Sequence, residues 1–228
     1  MIGVQFKTVC GADKDIATIG TLDSSMEGFD EDGNYASSMM IWNPTTQNYS
    51  TYGWTGSSGT DILEDSDYDN IWSGYFDPEN VPTGKLPETG AFWVKAGAAG
   101  TILLMGEVPT TNVTVSLTAG YNMVAHPLPK DVPVATFGTL DASMAGFDED
   151  GNYATSMMVW NPTTQNYSTY GWTGSSGTDI LEDSDYDNVW SGYFDPEAVP
   201  AASIVVPAGS GVWIKAGSAG SITFSVED

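Results

Sequence analysis

Ser38-Met-Met-Ile-Trp-Asn-Pro-Thr-Thr-Gln-Asn-Tyr-Ser-Thr-Tyr-Gly-Trp54 sets two short strand-forming runs on either side of Asn43-Pro44-Thr45-Thr46. Proline presets φ at the second turn position, and Asn and Thr side chains bond back to the nearby backbone, so the stretch predicts an antiparallel hairpin. Side chains alternate along a strand, so Tyr52 and Trp54 share one face of the second run and Tyr49 takes the other. The hairpin recurs at Ser156–Trp172 with one change, Ile41 to Val159.

Outward from the hairpin, the identity runs from Gly20 to Pro82 and again from Gly138 to Pro200, at a constant offset of 118 and with no gap. Of the 63 positions, 57 are identical; the changes are Ser24/Ala142, Glu27/Ala145, Ser37/Thr155, Ile41/Val159, Ile71/Val189 and Asn80/Ala198. The flanks repeat more loosely. Gly3–Ile19 aligns with Tyr121–Phe137 at the same offset, and beyond the block an offset of 120 brings Trp93 and Lys95-Ala-Gly97 onto Trp213 and Lys215-Ala-Gly217. The expectation is two tandem homologous domains, 1–110 and 111–228, each of ordinary single-core size.

The remaining patterning is β. Val113-Thr-Val-Ser-Leu117 and Ile222-Thr-Phe-Ser-Val226 alternate with period 2, and Ile102–Met105 does so less cleanly. Phe92–Ala96 and Val212–Ala216 are short strands with glycine close by. Leu22–Gly28 suggests a single helical turn with Asp23 or Ser24 as its N-cap. No long amphipathic helix is visible, and the expected fold is all-β, two antiparallel sandwich or barrel-like domains joined by a short linker at 107–112. Val113–Leu117 has no counterpart ahead of the first domain. Either it completes the first domain as its last strand, or the first domain has an open sheet edge that a strand could fill.

Charge narrows the function classes. Thirty Asp and Glu face six Lys and no Arg, for a formal net charge of −24. The first block holds 12 acids, the second 11, and neither contains Lys or Arg. Phosphate neutralisation needs cationic side chains, so a nucleic-acid partner is not expected, and anionic membranes are disfavoured for the same reason. No apolar run reaches ~18 residues, so membrane insertion by a helix is not expected. The single cysteine, Cys10, forms no internal disulfide and is expected to be a small buried hydrophobe. The first residues lack the pattern of a signal peptide, which a secreted protein would have lost on processing.

Three constellations could carry chemistry. Asp30-Glu31-Asp32-Gly33-Asn34 and its copy at Asp148 and Asp150 place carboxylates beside a glycine, as half a calcium loop does; the same residues also suit a plain hairpin turn. Asp61, Asp65, Asp67 and Asp69, with Asp179, Asp183, Asp185 and Asp187, are denser, and Asp65-x-Asp67-x-Asp69 has calcium-loop spacing. Asn70 at the sixth position and Phe76 at the twelfth exclude a true EF-hand. These acids make Ca2+ the candidate cofactor, the alternative being a solvated acidic surface. Third, each block carries ten aromatics, of which Trp42, Tyr52, Trp54, Trp160, Tyr170 and Trp172 are candidates for interface anchors or glycan stacking, core being the plainer use. His126 is the only histidine, which removes a His-dependent triad or zinc site from the duplicated unit. Three glycosylation sequons stand at Asn48, Asn112 and Asn166.

Gly120-Tyr-Asn-Met-Val-Ala-His-Pro127, Val159-Trp-Asn-Pro162 and Pro207-Ala-Gly-Ser-Gly-Val-Trp-Ile-Lys-Ala216 resemble the opening and closing strands of a class of secreted bacterial β modules. The first repeat lacks the opening motif and closes on Glu88-Thr-Gly-Ala-Phe-Trp-Val94. The resemblance implies an all-β extracellular or cell-surface protein of a bacterium, without an assigned activity. Together these features lead to a non-enzymatic structural subunit of a surface layer or filament, self-associating and stabilised by divalent cations. A bivalent carbohydrate-binding module is the alternative, and a two-carboxylate glycosidase a second.

Overall fold

The computed structural model describes residues 2–3, 14–23, 26, 28–30, 32–57, 68–86, 89–105, 107–175 and 186–226. Cys10 and the acids Asp61, Asp65, Asp67, Asp179, Asp183 and Asp185 lie outside them. In the first copy the strands are β1 (Ile2–Gly3), β2 (Lys14–Asp15), β3 (Thr21–Leu22), β4 (Ser38–Asn43), β5 (Asn48–Trp54), β6 (Trp72–Gly74), β7 (Lys85–Leu86), β8 (Ala91–Lys95) and β9 (Ile102–Leu103). The second contains β10 (Val113–Leu117), β11 (Gly120–Ala125), β12 (Val132–Pro133), β13 (Thr139–Leu140), β14 (Ser156–Asn161), β15 (Asn166–Trp172), β16 (Trp190–Gly192), β17 (Val205–Val206), β18 (Gly211–Ala216) and β19 (Gly220–Phe224). Short 3-10 turns stand at Ile16–Thr18 and Val134–Thr136.

The fold is all-β, and its sheets are antiparallel. Two five-stranded sheets share one order, β1-β8-β4-β5-β6 and β11-β18-β14-β15-β16. In each, the predicted hairpin forms with Asn43↔Asn48 or Asn161↔Asn166 as the closing pair. The turn works as its residues require: the Asn43 side-chain oxygen accepts from the Thr45 and Thr46 N–H groups, and Gln47 takes a φ of 51°. The closing strand, β8 or β18, enters between the opening strand and the hairpin, a pairing that is not sequential.

Alternation divides each sheet into two faces. Met39, Ile41, Tyr52 and Phe92 face the first core, which also holds Ile19, Leu22, Trp54 and Trp72. Among the described residues, the core of the second copy has Phe137 at the place of Ile19 and also holds Leu117, Ile222 and Phe224. Two of the core tryptophans donate to backbone carbonyls: Trp72 Nε1 to that of Ile19 at 3.0 Å and Trp190 Nε1 to that of Phe137 at 2.9 Å.

Three expectations change. The sheet register pairs Ile2–Gly3 with Phe92–Ala91, as Val124–Ala125 pairs with Val212–Gly211, so these residues correspond at an offset of 122 rather than 118. The cause is length: ten residues (4–13) separate Gly3 from Lys14, whereas six (126–131) separate Ala125 from Val132. Second, Val113–Leu117 does not complete the first copy. It pairs with β19, from Val113↔Phe224 to Leu117↔Gly220. The buried Asn122 fixes this placement by accepting from Thr118 N–H and donating to the Thr118 and Gly120 carbonyls, at 2.8–3.0 Å. Third, the turn expected near Leu22–Gly28 starts on strand residues Thr21–Leu22; among its described residues, Met26 N–H bonds the Asp23 carbonyl at 2.9 Å.

Candidate functional site

The second face of each five-stranded sheet carries Trp42, Tyr49 and Trp93 in the first copy, and Trp160, Tyr167 and Trp213 in the second. These residues pack copy against copy. Trp42 meets Trp213 edge-on at 5.2 Å and 84°, and Trp160 meets Trp93 at 5.2 Å and 81°. Tyr49 reaches Trp213 and Tyr167 reaches Trp93, each at 6.2 Å. When residue i of one unit touches j of the other and j touches i, the contact is isologous, here a pseudo-two-fold inside one chain. Burial, and then the proximity of Tyr167, push the Tyr49 hydroxyl above the usual tyrosine range. Asymmetric bonds add to the contact: Trp42 Nε1 donates to the Tyr121 carbonyl at 2.7 Å, and Gln47 accepts from Tyr121 N–H at 3.0 Å. Gly120, at φ 95°, admits the Gln47 side chain where a Cβ would approach within 2.8 Å.

Of the six aromatics singled out from the sequence, Trp42 and Trp160 therefore lie at an interface, an internal one. Tyr52 and Tyr170 are partly buried against the two cores. Trp54 and Trp172 are 2% exposed and pair edge-on with Trp72 and Trp190, so they are core residues and offer no surface to a glycan or partner.

The most exposed aromatics, Phe76 and Phe194, are elsewhere. Phe29 and Tyr35 close the Asp30–Asn34 turn as a bridge pair, with rings stacked at 4.7 Å. Tyr35 lies across Gly53, where a Cβ would come within 2.2 Å of the ring, and donates its hydroxyl to the Gly74 carbonyl at 3.2 Å. Burial pushes that hydroxyl up to about 12. Tyr75 follows at 5.6 Å from Tyr35, and Phe76 at 5.2 Å from Tyr75. Phe76 is 96% exposed. It is held out by a closed loop in which Asp77 N–H bonds the Gly74 carbonyl, Asn80 N–H the Asp77 carbonyl and Gly74 N–H the Asn80 carbonyl, at 3.0–3.1 Å. A cavity of about 370 Å³ opens between Phe29, Asn34, Tyr35, Tyr75, Phe76 and Pro78.

The second copy reproduces this aromatic shelf. Phe147–Tyr153, Tyr153–Tyr193 and Tyr193–Phe194 are 4.7, 5.6 and 5.3 Å apart, and Phe194 is 95% exposed. Burial sets the Tyr153 hydroxyl at about 12 as well. β6 and β16 are the outer edge strands of their sheets, so one shelf stands at each outer edge.

The acidic candidates fall into two groups. Asp30 Oδ1 accepts from the Asp32 and Asn34 N–H groups at 3.0 and 2.8 Å, and Asp148 Oδ1 does the same with Asp150 and Asn152. These bonds, led by that from Asn34, lower the Asp30 pKa. Asp30 and Asp148 thus shape turns, and Asp32 and Asp150 are exposed on them. The longer acidic loop is clamped at its stem: the Thr55 hydroxyl donates to the Ile71 carbonyl and accepts from Ile71 N–H, at 3.0 and 3.1 Å, as Thr173 does with Val189. Asp69 and Asp187 stand at that stem, followed by Asn70 and Asn188 at φ 54°. Among the described residues no three His, Cys, Asp or Glu side chains converge on one point.

His126 is 5% exposed, sits edge-on to Phe224 at 5.1 Å, and accepts from Leu128 N–H through Nδ1 at 3.2 Å. It lines a cavity of about 190 Å³ with Lys130, Asp131 and Thr136. The sequence signal for the shelves was Gly74-Tyr-Phe-Asp-Pro78: adjacent aromatics in a proline turn leave one of them with no core to enter. No family model, curated protein or solved structure matches this chain.

Proposed function

We propose that the chain is a non-catalytic extracellular structural subunit that assembles into a layer or filament through its aromatic shelves. The observation that carries this reading is Phe76 and Phe194, held 96% and 95% exposed at equivalent positions beside the edge strands β6 and β16. A rigid, exposed aromatic beside other rings is the composition of an interface anchor. The other large aromatic face is already occupied, copy against copy, within the chain. Two outward patches on one molecule give each subunit two contacts, and a contact that does not close into a ring grows an array.

The resemblance of the flanking strands to secreted bacterial β modules supports the extracellular placement. Divalent cations enter because a net charge of −24 opposes association unless it is screened or bridged. Electron microscopy of the purified protein with Ca2+ should show ordered assemblies that shrink after chelation. Dispersed single particles under both conditions would count against the reading.

A second reading rests on the same shelves. Stacked rings beside the Asn34 amide and the Asp30 carboxylate could hold a sugar ring, and the two shelves would make the protein a bivalent glycan binder. A glycan array probed with the full chain decides it, since this reading requires hits that Phe76→Ala with Phe194→Ala removes.

A further inference from the structure

The cavity beside Phe76 has aromatic walls and an acidic rim. Four rings line it, those of Phe29, Tyr35, Tyr75 and Phe76, with Asn34 and Pro78 completing the wall. The planes of Tyr75 and Phe76 stand at 87°, so the two rings form a corner and not a flat stack. Their counterparts in the second copy, Tyr193 and Phe194, stand at 89°. An apolar cavity of about 150 Å³ is large enough to take benzene. The space here is about 370 Å³, which leaves room for a compact organic group.

The rim is negative. Every charged residue in 29–35 and 74–80, and in the equivalent 147–153 and 192–198, is acidic. Asp30 is fixed beside the cavity by the Asn34 N–H, which bonds its Oδ1 at 2.8 Å and, with the Asp32 N–H, holds its carboxyl below the usual range. Asp77 stands between Phe76 and Pro78. Burial first, and the Asp77 charge after it, push the Tyr35 hydroxyl up to about 12, so Tyr35 stays a neutral ring near an ionised carboxylate. Asp195 acts on Tyr153 in the same way.

We propose that each shelf is a binding site for a small quaternary ammonium cation of the choline class. The face of an aromatic ring is the negative end of its quadrupole and attracts a cation lying over it. Methyl groups on the nitrogen pack against the corner made by Tyr75 and Phe76, while the carboxylates raise the local concentration of cations. A bare divalent metal is not the ligand of this cavity, because it demands oxygen ligands and the walls are rings. The site shares the shelves with the proposed assembly and does not depend on it: a titration read on monomers can fail while chains still associate, and the reverse.

The test is calorimetric titration of the full chain with choline, at low ionic strength and at protein concentrations where sedimentation shows monomer. The neutral isostere of choline, in which a carbon replaces the nitrogen, is titrated beside it. Saturable choline binding is expected, with the isostere roughly tenfold weaker because it lacks the charge. Phe76→Ala with Phe194→Ala should abolish binding, and Phe76→Trp with Phe194→Trp should retain it, since tryptophan offers the strongest ring face. Phosphocholine separates a free cation from a headgroup: the acidic rim repels its phosphate, so it should bind more weakly than choline. No saturable choline binding, equal binding of the isostere, tighter binding of phosphocholine, or unchanged binding by the Phe76→Ala/Phe194→Ala chain would overturn the proposal.

Discussion

Phe76 and Gly53 mark the two extremes of constraint in the shelf. Phe76 touches mainly Tyr75 and solvent, so Phe76→Ala together with Phe194→Ala should leave the fold stable to within about 0.5 kcal/mol per site, as urea denaturation would show. Gly53 lies under the Tyr35 ring, with a Cβ approach of 2.2 Å. Gly53→Ala must push the ring away and should cost about 1–3 kcal/mol in the same experiment. Tyr35 and Tyr153 also predict a pH effect. Their hydroxyls titrate near 12 in the folded chain, above the ordinary value of about 10. The stability they contribute is therefore complete below pH ~10 and is lost as pH rises from there toward 12. Ultraviolet titration should show Tyr35 and Tyr153 among the late-ionising tyrosines, in step with alkaline unfolding. At this scale the sequence was only partly legible. The aromatics were countable, but Trp54 and Phe76 are distinguished by what lies opposite them. Trp54 faces Trp72 across a strand pair, whereas Phe76 caps a turn with nothing above it.

Strands were more legible than their partners. The hairpin at 38–54 was readable because period-2 alternation and an Asn-Pro turn are local signals. The insertion of β8 between β1 and β4 was not, since nothing local ties residues 91–95 to residues 38–43. Val113–Leu117 was recognisable as a strand, but alternation does not say which sheet receives it. That choice rests on Asn122, whose side chain holds the Thr118 turn between β10 and β11. Asn122→Ala would leave buried backbone groups unbonded and should cost about 2–3 kcal/mol, with β10 released first. Hydrogen exchange should show loss of protection at Val113–Leu117 and β19 ahead of the five-stranded sheets.

At the scale of the whole chain, two copies pack through reciprocal tryptophan contacts, and the shelves remain outward. The duplication and its acidity were plain from the sequence. The pseudo-two-fold was not, because it depends on which face of each sheet is left after the core is filled. Trp160→Ala should expose Trp93, whereas Trp42→Ala should expose Trp213 and also lose the bond to Tyr121. Tryptophan fluorescence should redshift in both variants, more in the second, because Trp213 starts at 6% exposure. In the proposed assembly the shelves join one chain to the next. Sedimentation velocity of the native chain and of the Phe76→Ala/Phe194→Ala chain, over a range of protein concentrations in Ca2+, addresses it directly. The expected result is concentration-dependent species larger than a monomer for the native chain and a monomer for the variant. A native chain that stays monomeric throughout, or a variant that associates equally well, would contradict it.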